Sequence, residues 1–206
     1  MRSRLHGDAG QAFPIYITVV AGLLFLAFAY LAVGQAAVNR NGAQTAADAA
    51  ALAAAQSARD QFAAKWVEDI LDPTKWLRDL HGQVEIDSSL PCLRAEQLAT
   101  QNDAKIDNAC PTDNPLSYFF TVTTNKNVGS SVVPGTEDMK STAHARAVVK
   151  PLCNFSSPGD NPGGETLPGL TCKGNTYPLD PDDLKDLPKP EDLFDVYLAD
   201  SPANND

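Results

Sequence analysis

The chain has 206 residues, a formal net charge of −10 and four cysteines; with one membrane segment subtracted, that length still holds one small domain with a modest core. Setting aside Arg2, Arg4 and Asp8 leaves 25 acidic against 14 basic residues. A surface of that sign repels phosphate backbones and excludes nucleic acid as an expected partner.

Residues 1–11 read as a short polar N-terminus on the cytoplasmic side. An apolar run then covers residues 12–34, AFPIYITVVAGLLFLAFAYLAVG, inside a stretch without charge from Ala9 to Asn39. At about 1.5 Å per residue, some 20 apolar residues cross a hydrocarbon core about 30 Å thick, so the run is long enough to span. The anchor residues are Phe13, Pro14, Tyr16, Leu23, Phe25 and Tyr30. Pro14 falls in the first turn, where an amide has no intrahelical partner. Tyr16 and Tyr30 sit toward the two ends, where amphipathic rings prefer to lie. Thr18 can bond its own helix backbone. Arg2 and Arg4 precede the run and predict an inside N-terminus with an extracytoplasmic C-terminal bulk. Ala32 and Gly34 also carry the small-residue spacing of a signal peptidase site. A secreted soluble binding protein released after Gly34 is therefore the alternative.

Residues 35–81 form an alanine-rich helical extension. The run from Ala43 to Ala64 is mostly alanine, the strongest helix former. Farther on, Ala63, Trp66, Val67 and Ile70 recur at three- and four-residue steps and predict a packing face. The alanines leave two readings open: close packing by an element of the same domain, or close helix-to-helix assembly with other subunits. Pro73 starts a short helix that runs to Leu80 or His81 and stops at Gly82.

Residues 82–153 read as a small α+β head. QVEID, Gln83–Asp87, alternates as a strand does, a helix is expected over Cys92–Gln101, and a short strand over Ile106–Cys110. LSYFFTVTT, Leu116–Thr124, is the strongest strand signal, and TAHARAVVK, Thr142–Lys150, is its expected antiparallel partner. Residues 154–206 read as a disulfide-closed loop followed by an acidic, Pro-rich tail that is mobile over most of its length. Within that tail EDLFDVYL, Glu191–Leu198, is expected as a short helix. The fold class is α+β: a long N-terminal transmembrane helix continues into the alanine-rich helix, against which a small antiparallel sheet packs.

Cys92, Cys110, Cys153 and Cys172 all follow the anchor. Four cysteines allow three connectivities. The nearest-neighbour pairs, Cys92 with Cys110 and Cys153 with Cys172, are expected because each closes one turn-rich loop. No C-x-x-C pair supports zinc. His81 sits next to Gly82 at an expected helix end and His144 on the outer side of an expected strand. No nucleophile elbow, zinc-protease, phosphate-loop or dinucleotide motif occurs. Asp180, Asp182 and Asp183 lack the spacing of a calcium loop and read as solvated charges. Asn154-Phe155-Ser156 fits a glycosylation sequon, a weak signal. The chain is accordingly expected to be no enzyme, with no cofactor, no metal and no small-molecule substrate. An extracellular hydrolase using carboxylates is a weaker reading without a motif.

Gly10-Gln11-Ala12 leads the apolar run, and Gln44-Thr45-Ala46-Ala47-Asp48-Ala49-Ala50-Ala51-Leu52-Ala53-Ala54-Ala55 follows it. The arrangement resembles the TadE/TadG-like proteins of the tight-adherence (Flp) pilus system, most closely those of high-GC Gram-positive bacteria, which carry an AADAAALAGA-like stretch after the membrane helix. The resemblance covers about the first 60 residues. It implies a pilin-like plan, a minor pseudopilin or pilus-assembly role, and the lipid bilayer and other pilus or assembly subunits as partners. Pseudopilins that a prepilin peptidase processes carry a Glu five residues after the cleavage-site Gly. From Gly10 that position is Ile15, after Pro14, which favours a permanently anchored assembly protein over a polymerising pilin.

Overall fold

The computed structural model describes residues 12–111, 114–127, 138–155, 167–182 and 186–199. One helix, α1 (Ala12–Glu68), runs 57 residues without interruption. Gly22, Gly34 and Gly42 lie within it and none breaks it, consistent with a cost of about 1 kcal/mol each relative to alanine. Two shorter helices follow, α2 (Trp76–Leu80) and α3 (Ser89–Gln101).

The main sheet has the order β1-β2-β3-β7, built from β1 (Ala104–Ile106), β2 (Ser117–Thr124), β3 (Thr142–Pro151) and β7 (Phe194–Ala199), with all neighbours antiparallel. A second small sheet pairs β4 (Cys153–Phe155), β5 (Leu170–Cys172) and β6 (Asn175–Tyr177). A single helical turn, α4 (Pro190–Leu193), leads into β7. The cysteines pair Cys92 with Cys110, tying α3 to the segment after β1, and Cys153 with Cys172, facing positions of β4 and β5.

The C-terminal half of α1 is the spine of the head. It packs against α3 and against β3, β2 and β7. Ala43, Ala46, Ala47, Ala50, Ala51, Ala54, Ala55 and Ala58 are all fully buried, and their three- and four-residue steps make one continuous stripe. The inward row of β3 is equally small: Ala143, Ala145 and Ala147 are buried, with Val149 after them. Opposite these alanines in the ladder stand Tyr118, Phe120 and Val122 of β2, also buried. Small residues under the helix with bulky residues beside it let the backbones of α1 and β3 approach, while the flanking aromatics fill the volume that remains.

Toward its C-terminus the helix exchanges alanine for aromatics. Phe62 meets Phe194 with ring centroids 5.9 Å apart, Trp66 meets Trp76 at 5.6 Å, and Trp76 meets Phe155 edge-on at 5.3 Å. The Trp76 Nε1–H donates to the Asp69 and Ile70 carbonyls, 3.2 Å from each. It thereby partners carbonyls just past the end of α1, where a helix runs out of its own donors.

Five sequence expectations of secondary structure change. The short helix expected from Pro73 begins only at Trp76, because residues 73–75 form a turn closed by Lys75 N donating to the Asp72 carbonyl at 3.0 Å. Gln83–Asp87 keeps its alternation, with Val84 and Ile86 packed on the core, but has no ladder partner and is not a strand. The short strand expected over Ile106–Cys110 is instead Ala104–Ile106, because side chains replace the ladder beyond it: the Asn108 Oδ1 accepts from Thr121 N at 2.7 Å and its Nδ2 donates to the Phe119 carbonyl at 3.1 Å. Helix α3 begins at Ser89, ahead of Cys92, and the Asp87 carboxylate accepts from Ser89 N at 2.9 Å at its start. Glu191–Leu198 is not a helix throughout: after Leu193 the chain extends as β7 along β3, pairing Phe194 with Pro151 and Val196 with Val149. Of the remaining tail, residues 183–185 and 200–206 lie outside the described residues, as do most of the loop between Cys153 and Cys172 and Ser156 of the sequon.

Enlarging the stripe tests this packing. Ala50→Leu should cost about 1–3 kcal/mol by overpacking, whereas Gln56→Leu on the exposed side of the same helix should stay within about 0.5 kcal/mol. Urea unfolding of the two full-length variants in detergent measures both; equal effects would mean that the alanine contact is not close.

Candidate functional site

One helix serves two environments. From Phe13 to Val38 its large apolar side chains are bare: Phe13 is 72% exposed, Leu23 63%, Phe25 72% and Tyr30 79%. Pro14 and Tyr16 are exposed as well. From Ala43 onward the inward face is completely covered. The exposed portion is the single segment among the described residues long and apolar enough to cross a membrane. Thr18 does not leave a hydroxyl donor open there, since its Oγ1 lies 2.9 Å from the Ile15 carbonyl and 3.1 Å from that of Pro14. A hydroxyl bonded back to its own helix is what an apolar surrounding requires.

Ala63, Trp66 and Ile70 of the expected packing face are buried, whereas Val67 is 41% exposed and does not belong to it. The core-facing stripe drifts around the helix axis, because its spacing differs from 3.6 residues per turn. Val67 therefore falls on the outer side while Phe62 and Trp66 turn in. Phe62 and the eight stripe alanines were not singled out from the sequence as a face, although Thr45, Gln56 and Asp60 on the exposed side are a signal that could have found it. The inward alanines pack against α3 and the sheet of the same chain, as the first of the two readings has it.

Charged groups gather at the far end of α1. Asp69 receives Lys75 Nζ at 2.8 Å and Arg78 Nη2 at 3.3 Å, and Lys65 pairs with Glu68 at 2.6 Å. Hydrogen bonding to Asp69 holds the Lys75 ammonium above its ordinary value, and the Thr74 hydroxyl holds the Asp72 carboxyl below its own. These groups are solvated, and ion pairs of this kind contribute little. Asp79 differs. It is fully buried, its Oδ1 accepts from Arg78 Nε and Nη2 at 3.3 Å each, and its Oδ2 has no partner. Burial pushes its carboxyl above the usual carboxylate range, the Arg78 guanidinium opposes this, and the Asp69 charge adds to it.

No group of three or more His, Cys, Asp or Glu side chains that could hold a metal ion occurs among the described residues. Asp180 accepts from the backbone N–H of Asp182 at 2.9 Å, a local turn, and Asp183 lies outside the described residues. His81 caps the C-terminus of α2. His144 lies on the outer face of the sheet against Phe119, with ring centroids 5.6 Å apart, and the Arg146 guanidinium lies 5.2 Å from the same ring. The functional feature is thus the exposed helix joined to the head core.

Residues 10–57 match the family model described as putative Flp pilus-assembly TadE/G-like. The match is confined to the N-terminal segment. The match takes in the exposed apolar helix and the stripe as far as Ala55, and stops before the aromatic end of α1 and before every strand. No curated protein and no solved structure matches the chain significantly.

A buried carboxyl with one unpartnered oxygen makes a pH-dependent prediction. Its folded-state value is raised, so its contribution to stability is largest below the unfolded value and is lost as pH rises through the folded one. At pH 7 Asp79→Asn should therefore raise the unfolding midpoint by about 2–4 °C, the shift that about 1 kcal/mol produces in a chain of this size. The gain should shrink as pH falls through the raised folded-state value and be gone by about pH 4, where an ordinary aspartate takes up its proton. Thermal unfolding of both forms across pH decides it; a less stable Asn variant at pH 7 would show that the Arg78 pair outweighs burial.

Proposed function

We propose that this protein is a permanently anchored, single-pass component of Flp/Tad-type pilus assembly. The family match and the apolar helix fit a pilus-assembly component held at a membrane. The finer reading is a minor pseudopilin or assembly factor without enzymatic activity, its N-terminus cytoplasmic and its head extracytoplasmic, meeting other pilus subunits at the assembly site.

The observation that carries this reading is the uninterrupted passage of α1 from a fully exposed apolar surface into the centre of the head core. An exposed apolar surface of that length is stable in lipid and not in water. Two disulfides outside the anchor agree with an oxidising compartment for the head.

The secreted alternative has one specific point in its favour. The buried stripe begins at Ala43, so cleavage after Gly34 would remove no core residue. Two measurements separate the readings. In the first, deletion of residues 12–34 should move the protein from the membrane to the soluble fraction while the head keeps cooperative unfolding; retention in the membrane would overturn the anchor role. In the second, the intact mass of the native membrane species should correspond to an unprocessed N-terminus. Loss of residues 1–10 would mean a processed pilin-like subunit, and a soluble species starting at Gln35 would mean secretion.

A further inference from the structure

The head does not simply follow the anchor; it reaches down beside it. An open groove of about 630 Å³ lies between the helix and the loops that end α3 and β2. Its helix wall is mainly apolar, with Tyr30, Leu31, Gly34 and Val38 interrupted by the amide side chain of Gln35, and Asp103 and Lys126 stand on its head wall. Lys126 Nζ lies 2.6 Å from the Asp103 carboxylate, and both side chains are open to solvent. Asp103 is held there by a left-handed backbone conformation, φ 55°. In turn its carbonyl accepts from Asn125 N at 2.7 Å, which fixes the two loops to each other. Asn39 also lines the groove, and its Nδ2 has no hydrogen-bond partner.

Helix length sets the depth of this groove. Counted from Phe13, about 30 Å of rise is used up near Ala32, which is the thickness of the hydrocarbon core. The headgroup layer adds about 5–7 Å on each side, and that distance takes the helix to about Ala36, between Leu31 and Val38. The groove walls span this level, and their apolar side is continuous with the exposed surface of the spanning segment.

We propose that the groove seats one zwitterionic phospholipid of the leaflet on the head's side of the membrane. Its chains lie along Leu31 and Val38, its phosphate meets the Lys126 ammonium and its own ammonium meets the Asp103 carboxylate. Opposite charges on adjacent side chains complement opposite charges on one headgroup, and a donor–phosphate contact of this type is charge-assisted. Water would leave the apolar wall uncovered, while a lipid chain covers it. The Asn39 amide adds a donor of the kind an ester oxygen accepts. The contact would fix the height of the head over the bilayer.

This inference rests on the anchor reading, and the test keeps the two apart. The full-length chain is reconstituted in nanodiscs of phosphatidylethanolamine and phosphatidylcholine, and separately in dodecyl maltoside micelles. Amide exchange is followed over residues 102–104 and 124–127, with β3 as the internal reference. Exchange in these loops should be about tenfold slower in the phospholipid discs, the factor expected of one hydrogen bond to a charged group. Lys126→Glu should remove most of that slowing and leave β3 unchanged. Equal exchange in discs and micelles overturns the inference, as does slowing that Lys126→Glu does not affect, since that is steric cover alone. Flotation of the same protein with liposomes reports the anchor. A chain that floats but shows no Lys126-dependent slowing defeats the lipid seat only, and a chain that does not float defeats both.

Discussion

Close contact between the alanines of α1 and the alanine row of β3 is the constraint on which the head depends. Each alanine buries little apolar surface, so the stripe itself contributes modestly to the hydrophobic term. What it sets is distance: with only methyl groups between them, helix and strand come near enough for Gln44 Nε2 to reach the His144 carbonyl at 3.4 Å. The larger burial comes from Tyr118, Phe120 and Val122 beside the stripe and from the Trp66, Trp76, Phe62 and Phe194 cluster at its far end. Residue size along α1 is therefore graded, small where it enters the head and large where it ends.

Alanine suits this place for a second reason. It keeps the helix intact without relying on packing, because it loses no side-chain entropy on becoming helical. The helix has Gly34 at the end of the apolar span and Gly42 just beyond it to accommodate, and the alanines after them keep it continuous. The part of the chain that matches the TadE/G-like family model contains both the anchor and the entry of the stripe. That segment therefore joins the membrane-facing surface to the middle of the fold, and the strands are added to it by the rest of the chain.

The sequence made the elements with strong local signals legible. The apolar run and the alanine helix are legible by length and helix propensity, and Leu116–Thr124 and Thr142–Lys150 by their β-forming residues and alternation; the structure places a helix and an antiparallel pair there. Where tertiary partners decide, the reading failed. Phe194, Val196 and Leu198 alternate as a strand does, yet Leu193, Phe194 and Tyr197 also fit a helical step, and only the free edge of β3 selects between them. Gln83–Asp87 had the strand period and lacked an edge to join. Asn108 ended β1 early by using its side-chain amide where a strand would use its backbone. Val67 was misplaced because a face extrapolated at fixed steps ignores the drift of the stripe. The groove beside the anchor was not legible at all, since Asp103, Lys126 and Tyr30 are far apart in sequence and meet only through the turn after α3 and the end of β2.

The unbroken run of α1 gives the molecule the mechanics of a lever. From Gly34, near the exit from the apolar span, to Glu68 the helix rises about 50 Å. Membrane helices tilt by about 20° on average, and swinging such an arm upright from that tilt displaces its far end sideways by about 17 Å. No hinge interrupts the arm between the span and the aromatic cluster. A change of bilayer thickness or of neighbouring helices that retilts the span would therefore appear at the far end of the head as a lateral shift of many ångströms, with no rearrangement of the core needed to produce it.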